Sequence, residues 1–439
     1  MKRKKLVILS LVLSLFVPVC SQQSWTLQDC INYAIEHNLE IRKKEITQKQ
    51  QELELNTAQF TRLPGLSGNV SQSFNFGRGL NETNAYVNRN TQNSSFDVST
   101  DIPLFTGFQI PNTIAVSKLG LKAVTEDLNK IKEDISIQIT YAFLQVLFNR
   151  EIHKISLEQI ELSKEQYERV QLLYELGKAA IAEVYETKAR LAQDEVSAVQ
   201  AENNYQLSIL DLAQLLELPS PEGFEISYPD HEPDFTVLTA PEDIFNQSVV
   251  SRPDILAANY RLQAAEKNIL IAKSHYYPKL SFVAGLGTSY YNVSGIDNNS
   301  FSKQIENNFS KTLGFRLSIP IFNRFETRNR IRNAQLQKST YSIYLEENKK
   351  NLYKDVQQAY YNAIAAENKY IAGKSAVIAS ETAFRLSQEK YENGKANSFE
   401  FNEAKTNLMK VQSEQVQAKY EYIFRIKILD FYKGIPLYL

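Results

Sequence analysis

Two short segments carry the residues that could do chemistry, and they carry them in the same order. YELGKA at Tyr174–Ala179 and YENGKA at Tyr391–Ala396 each place a Gly-Lys pair in a break between long polar helical stretches. Six and nine residues past each glycine stand two carboxylates, Glu183 and Glu186 in one case and Glu400 and Glu403 in the other. A spacing of three puts each pair on one helical face. Such a pair can attract a cation, and it is equally what a solvated helix face looks like. The four histidines, His37, His153, His231 and His275, lie in unrelated contexts. No metal-ligand spacing, nucleophile elbow or phosphate loop accompanies them, so no catalytic residue, metal or cofactor is expected.

Composition narrows the classes. The chain has 439 residues, with 49 basic against 50 acidic side chains and a net charge of −1. Nothing basic dominates the field, which argues against a nucleic-acid partner. A charged fraction of 23 % and a mean hydropathy of −0.35 exclude a polytopic helical membrane protein. Two cysteines exclude a disulfide framework.

The start of the chain reads as an export signal. Lys2, Arg3, Lys4 and Lys5 precede an apolar run from Leu6 to Val19, too short for a spanning helix of about 20 residues. Cleavage is expected near Ser21, giving a signal peptide over 1–21 and leaving Cys30 as the sole thiol. Lipoprotein signals want a small residue before the cysteine, and Val19 precedes Cys20.

The elements that must position the two Gly-Lys segments come in a tandem repeat. Asp29, Asn32 and Ile41 align with Asp243, Asn246 and Ile255 at an offset of 214, as do Pro64 and Pro278. IPLFTGF (Ile102–Phe108) aligns with IPIFNRF (Ile319–Phe325) at 217, as do the two Gly-Lys segments. The expected organisation is a first repeat over 22–218, a Pro-rich linker over 219–240 holding four of the 13 prolines with a fifth, Pro241, at its end, and a second repeat over 241–439. In the first repeat, helices are expected over Trp25–Arg62, from Asn112 to about Tyr174, and over Ala180–Leu216. The second repeat gives them at about Pro241–His275, Thr327–Glu392 and Ser398–Lys433. Val124, Leu128, Ile131 and Ile135 are spaced like a coiled-coil seam. At 1.5 Å per residue the longest helices would reach roughly 100 Å.

Between the first and second helix of each repeat the period drops to two. Leu66, Val70, Phe74 and Phe76 alternate with Ser67, Asn69, Ser71, Ser73 and Asn75. Phe96, Val98, Ile102 and Leu104 do the same, and so do runs at Leu280–Tyr290 and Phe309–Ile319. Each run is about as long as a tilted membrane-spanning strand, with polar loops expected at Gly77–Gln92 and Asn292–Asn308. Four strands cannot close a barrel, and an open edge in lipid leaves backbone groups unsatisfied, so several chains must share one barrel. A coiled-coil periplasmic scaffold or adhesin without a barrel explains the helices but not the alternating hairpins.

The signal, the twofold repeat, the two hairpins and the long helices together resemble the TolC family of outer-membrane efflux ducts. The residues that carry the resemblance are WTLQDCINYAIEHNLEI at Trp25–Ile41, Pro64 and Pro278, the returns at Pro103 and Pro320, and the paired YxxGK turns. The resemblance implies a mainly α chain with long coiled-coil helices forming an α-barrel. It implies four β-strands per chain contributing to a 12-stranded barrel in a homotrimer. It implies an exit duct of a tripartite efflux or type I secretion system, in the outer membrane and extending into the periplasm. A periplasmic adaptor (membrane fusion) protein and an inner-membrane RND, ABC or similar transporter would be its partners, beside outer-membrane lipid. By the same resemblance Leu176, Gly177, Lys178, Asn393, Gly394 and Lys395 form periplasmic tips for adaptor docking. Glu183, Glu186, Tyr391, Glu400 and Glu403 would form the periplasmic gate. The basic residue that family members can carry two past the second glycine is Ala396 here, with Lys395 next to it and Tyr391 within reach of Glu183 as the expected substitutes.

Overall fold

A computed structural model describes residues 24–80, 83–228, 235 and 238–438. The expected signal peptide, Cys20 and His231 lie outside the described residues. The described helices pair off across the repeat. Helices α1 (Leu27–His37) and α2 (Leu39–Phe60) have the lengths of α5 (Pro241–Ser251) and α6 (Pro253–Ser274). The 67-residue α3 (Gln109–Glu175) matches α8 (Glu326–Glu392), and the 35-residue α4 (Ile181–Leu215) matches α9 (Ser398–Tyr432). None of the described helices is long and apolar enough to cross a membrane.

Single helices over Trp25–Arg62 and Pro241–His275 were expected, and each is broken once. Asn38 adopts an extended backbone at the end of α1, and its Oδ1 accepts from the N–H of Glu40 at 2.9 Å, which starts α2. In the second repeat Arg252 takes ψ 132° because Pro253 bars it from the helical region. A capping box between Thr26 and Asp29 fixes the start of α1 and holds the Asp29 carboxyl below its usual pKa.

The chain folds as two compact units, each drawing on both repeats. Of the described residues, one comprises those from 24 to Lys43, Asn129–Arg252 and Lys350 onward; the other comprises Lys44–Leu128 and Pro253–Lys349. In the first unit the helices bury Ile41, Ile139, Phe143, Leu212, Ile244 and Leu429. Tyr370 of α8 and Tyr422 of α9 stack there at 6.0 Å over Ala366 and Ala418. The described part of the linker also packs in this unit. Ile226 is buried and forms an isolated parallel bridge with Trp25, whose ring meets Phe224 edge-on at 5.5 Å. Of the expected seam, Leu128 and Ile135 are buried, while Val124 and Ile131 are half-buried.

The second unit holds the sheet, in the order β1-β4-β5-β6, antiparallel throughout. Its strands are β1 (Gly65–Asn75), β4 (Thr91–Phe105), β5 (Lys279–Val293) and β6 (Ser310–Ser318), with β2 (Arg78–Leu80) and β3 (Tyr86–Asn88) pairing apart as a small hairpin. The first expected polar loop therefore carries β2 and β3, and the second carries a short helix, α7 (Phe301–Asn307). Helix α7 is fastened to β5: Gln304 exchanges hydrogen bonds with both backbone groups of Tyr291 at 3.0 Å, and Phe301 packs on Tyr290.

The register sorts the faces as the alternation predicts. On one face Val70 lies opposite Phe96, Val98 opposite Leu286, Ile102 opposite Phe282, and Phe282 opposite Phe315. On the other, Asn69 donates to Asp97 at 2.9 Å, Ser71 meets Ser95 at 2.6 Å, and Arg316 bonds Asp101 at 3.2 Å. The apolar face is bare: Leu66, Val70, Phe74, Leu313, Phe315 and Leu317 are each at least 59 % exposed. Leaving six such side chains in water would forgo on the order of 10 kcal/mol, as much as the whole stability of a typical domain. That face requires an apolar surrounding.

Candidate functional site: the helix tips

The two tips are built alike because both long helices end on the same motif. Gly177 has φ +69°, the Lys178 N–H reaches Leu173 O at 2.8 Å and the Gly177 N–H reaches Tyr174 O at 2.8 Å. Gly394 has φ +68°, with Lys395 to Lys390 O at 2.8 Å and Gly394 to Tyr391 O at 3.1 Å. This is the Schellman stop, and it needs glycine for its positive φ; a Cβ at either position would meet nothing within 4 Å. Leu176, Lys178, Asn393 and Lys395 are exposed around the two glycines. Leu172, Ile181 and Tyr185 are exposed beside Leu176, as is Phe399 at the second tip.

The returning helices start differently. Asn397 caps α9 by accepting the Glu400 N–H at 2.9 Å, whereas Ala180 offers α4 only its backbone. Glu183 and Glu400 therefore sit in first turns, where the helix dipole favours negative charge. Glu186 and Glu403 follow one turn on, and all four carboxylates are exposed in the single chain. The ring of Tyr391 stacks on Phe401 at 5.1 Å, and Arg169 of α3 lies over it at 5.6 Å. Arg169 also donates to the Glu392 carbonyl at 2.9 Å. Within the chain Tyr391 thus engages Arg169 and Phe401, and Arg169, of the first repeat, braces the second tip.

Behind the tips lies a cluster that the sequence reading missed. Lys405 of α9, 2 % exposed, meets Asp194 of α4 at 3.2 Å, and Ser163 of α3 hydrogen-bonds both. Burial pulls the Lys405 pKa below its ordinary value, opposed by the charge and hydrogen bond of Asp194. The signal was periodicity. Asp194 belongs to the buried row Val184, Thr187, Asp194, Ala198 and Ala201, and Lys405 stands four residues past buried Phe401. The facing row of α3, Ser156, Gln159, Ser163, Gln166 and Val170, is polar except at its end. Among the described residues no group of three or more His, Cys, Asp or Glu is arranged to hold a metal ion.

Comparison with known proteins agrees with this architecture. The family model of outer membrane efflux proteins matches residues 30–217 and 244–425. The probable outer membrane lipoprotein SilC of Salmonella typhimurium is 25 % identical over 177 residues, 40 % of this chain and 35 % of SilC. The alkaline protease secretion protein AprF of Pseudomonas aeruginosa is 21 % identical over 311 residues, 69 % of this chain and 62 % of AprF. The chain thus matches less than two thirds of the length of either relative. A solved structure of CusC, described for its folding and transmembrane channel formation, superposes with a TM-score of 0.79 at 16 % identity, covering 94 % of this chain and 92 % of that one. That likeness is one of fold.

The buried cluster yields a prediction. Lys405→Met leaves the largely buried Asp194 carboxylate with Ser163 but without its countercharge, and breaking a buried pair from one side costs about 3–5 kcal/mol. Thermal unfolding of the detergent-extracted protein, followed by its helical signal, should move clearly downward. The double change Lys405→Met with Asp194→Leu should recover most of the loss. A single variant as stable as the parent would show the pair to be idle.

Proposed function

The chain belongs to the outer membrane efflux protein family, and from that premise we propose that it is the outer-membrane exit duct of a tripartite efflux or type I secretion system. It passes substrates from an inner-membrane transporter across the periplasm and the outer membrane. The observation that carries this reading is the four-stranded sheet, apolar on one face, polar on the other, and ending in strands β1 and β6 that pair on one side only. Three copies joined edge to edge give a closed 12-stranded barrel with an aqueous, serine-rich lumen. Such a barrel lets cargo through without a cofactor, and the family is one of channel-forming proteins rather than enzymes.

In this arrangement the β2/β3 hairpin and α7 lie outside the cell, and both Gly-Lys tips lie in the periplasm. The exposed Leu172, Leu176, Ile181 and Tyr185 give an adaptor protein an apolar surface to grip. An RND, ABC or similar transporter stands behind the adaptor. Glu400 and Glu403 of three chains bring up to six carboxylates to the narrow end, with Glu183 and Glu186 beside them. Like charges confined around one axis attract cations and keep closure marginal.

Orientation is tested with thiols. Asn84→Cys and Asp297→Cys should react with an impermeant maleimide on whole cells, and Lys178→Cys and Lys395→Cys should not. The native Cys30 is buried with its pKa pushed up to about 12 by burial, so it stays silent. Labelling of the tips with protection of the hairpins would invert the topology. The gate is tested in planar bilayers: Glu400→Gln with Glu403→Gln should lower cation preference and weaken block by divalent cations without reducing assembly. Unchanged selectivity and block would return these glutamates to a solvated outer face.

A further inference from the structure

The two ends of the sheet differ in charge. Residues 55–64, 106–115, 269–278 and 319–332 flank the strands at their helix end. They hold Arg62, Lys273, Arg324, Arg328, Arg330 and Arg332 against a single acid, Glu326. Glu326 is already engaged, accepting from Arg330 Nε at 3.1 Å. At the loop end, residues 76–90 and 294–309 balance three basic side chains with three acidic ones. Four of the arginines fall within nine residues at the start of α8, and all four are exposed.

Their directions differ. Glu326 and Arg330, one turn apart, line a cavity with His275, Lys279 and Ser318 on the polar side of the sheet. Arg328 and Arg332 occupy the opposite side of the helix. Arg328 lies 5.9 Å over the ring of Phe325, which itself packs edge-on against Phe322 at 5.7 Å. Phe322 is 71 % exposed and the neighbouring Ile321 93 %. A second aromatic group at the helix end of the sheet joins Phe105 and Phe108 of the first repeat to Tyr277 of the second, with ring separations of 5.4 and 6.1 Å. Exposed aromatics at a strand end with cations beyond them are the pattern of a membrane–water boundary.

The turn that carries Arg324 is left-handed in both repeats, with Phe108 at φ +66° and Phe325 at φ +63°. The repeat partner of Arg324 is Gly107, with φ +64°, where a Cβ would come within 2.6 Å of Ser274 O. Arg324 holds nearly the same conformation, φ +53°. The left-handed region costs a non-glycine residue about 1 kcal/mol or more. Arg324 therefore occupies a position where glycine would be cheaper.

We propose that Arg324, Arg328 and Arg332, with Phe322 and Phe325, form a docking surface for the phosphate headgroups of anionic phospholipid in the periplasmic leaflet of the outer membrane. The proposal rests on the duct reading, which puts this end of the sheet at that leaflet. The guanidinium groups match phosphate with paired hydrogen bonds, and the phenyl rings seat in the acyl boundary below. Three chains present nine such arginines around the barrel, which fixes its depth and resists sliding along the membrane normal.

The test uses the full-length mature protein, delipidated in detergent and titrated with phosphatidylglycerol or phosphatidylcholine under native mass spectrometry. The parent trimer should retain phosphatidylglycerol in preference. Arg324→Gln, Arg328→Gln and Arg332→Gln together should weaken that lipid by about tenfold or more and leave phosphatidylcholine unchanged. Removing as many charges elsewhere, by Lys349→Gln, Lys354→Gln and Lys410→Gln, should leave the preference intact. Arg324→Gly alone should lower phosphatidylglycerol affinity while raising thermal stability, which separates lost binding from lost folding. A parent trimer without preference, equal losses in both triple variants, or displacement by equimolar inorganic phosphate would each overturn the lipid site and leave the duct standing. A protein that never forms a trimer would overturn the duct reading, and the lipid site with it.

Discussion

A backbone group in lipid must find its hydrogen bond inside the protein, and the rest of this structure depends on that constraint. Strands β1 and β6 end the four-stranded sheet, each hydrogen-bonded along one side. An unpaired edge in hydrocarbon costs several kcal/mol per group, so a nine- to eleven-residue edge is untenable alone. Closure by like copies satisfies both edges at once. It also gives the bare Leu66, Val70, Phe315 and Leu317 a lipid surrounding and turns the Ser67–Ser99 and Ser71–Ser95 pairs toward water.

The helices answer a second need, which is reach with controlled ends. A 67-residue helix cannot be held by one amphipathic stripe, and its packed row changes character along its length. In α3 it is apolar at Ile135, Ile139 and Phe143 and polar from Ser156 to Gln166. Apolar rows bind strongly and without direction; polar rows bind only where partners match. The Lys405–Asp194–Ser163 contact ties α9, α4 and α3 and so joins the two repeats a few turns behind the tips. Arg169 on Glu392 and Tyr391 does the same at the last turn. Those two contacts tie the tip hairpins of the two repeats together, while the tip residues Leu176, Lys178, Asn393 and Lys395 stay exposed.

Much of this was legible in the sequence because the repeat gives every signal twice. The 214 and 217 offsets recur in the helix starts, from Leu27 and Pro241 to Ile181 and Ser398. The strands were visible through strict alternation, and the helix stops through Gly177 and Gly394, whose conformation few other residues tolerate. The helix breaks at Asn38 and Arg252 were missed, although Pro253 announces one of them, because unbroken periodicity outweighed a single local signal. The β2/β3 hairpin and α7 were missed for another reason: three-residue strands and a seven-residue helix are stabilised by what they lie on, as Gln304 is by Tyr291. Lys405 and Asp194 were hidden because each reads as a surface charge until the other is brought to it. No pattern within one helix names a partner 211 residues away.

Shared closure of the sheet is the central claim, and the mass of the detergent-extracted particle tests it most directly. Native mass spectrometry of the mature protein, extracted without crosslinking, should give one species at about three times the monomer mass, dissociating only when the sheet is unfolded. A stable, fully folded monomer in the same extract would mean that β1 and β6 need no partners, and the shared barrel and the duct built on it would both be wrong.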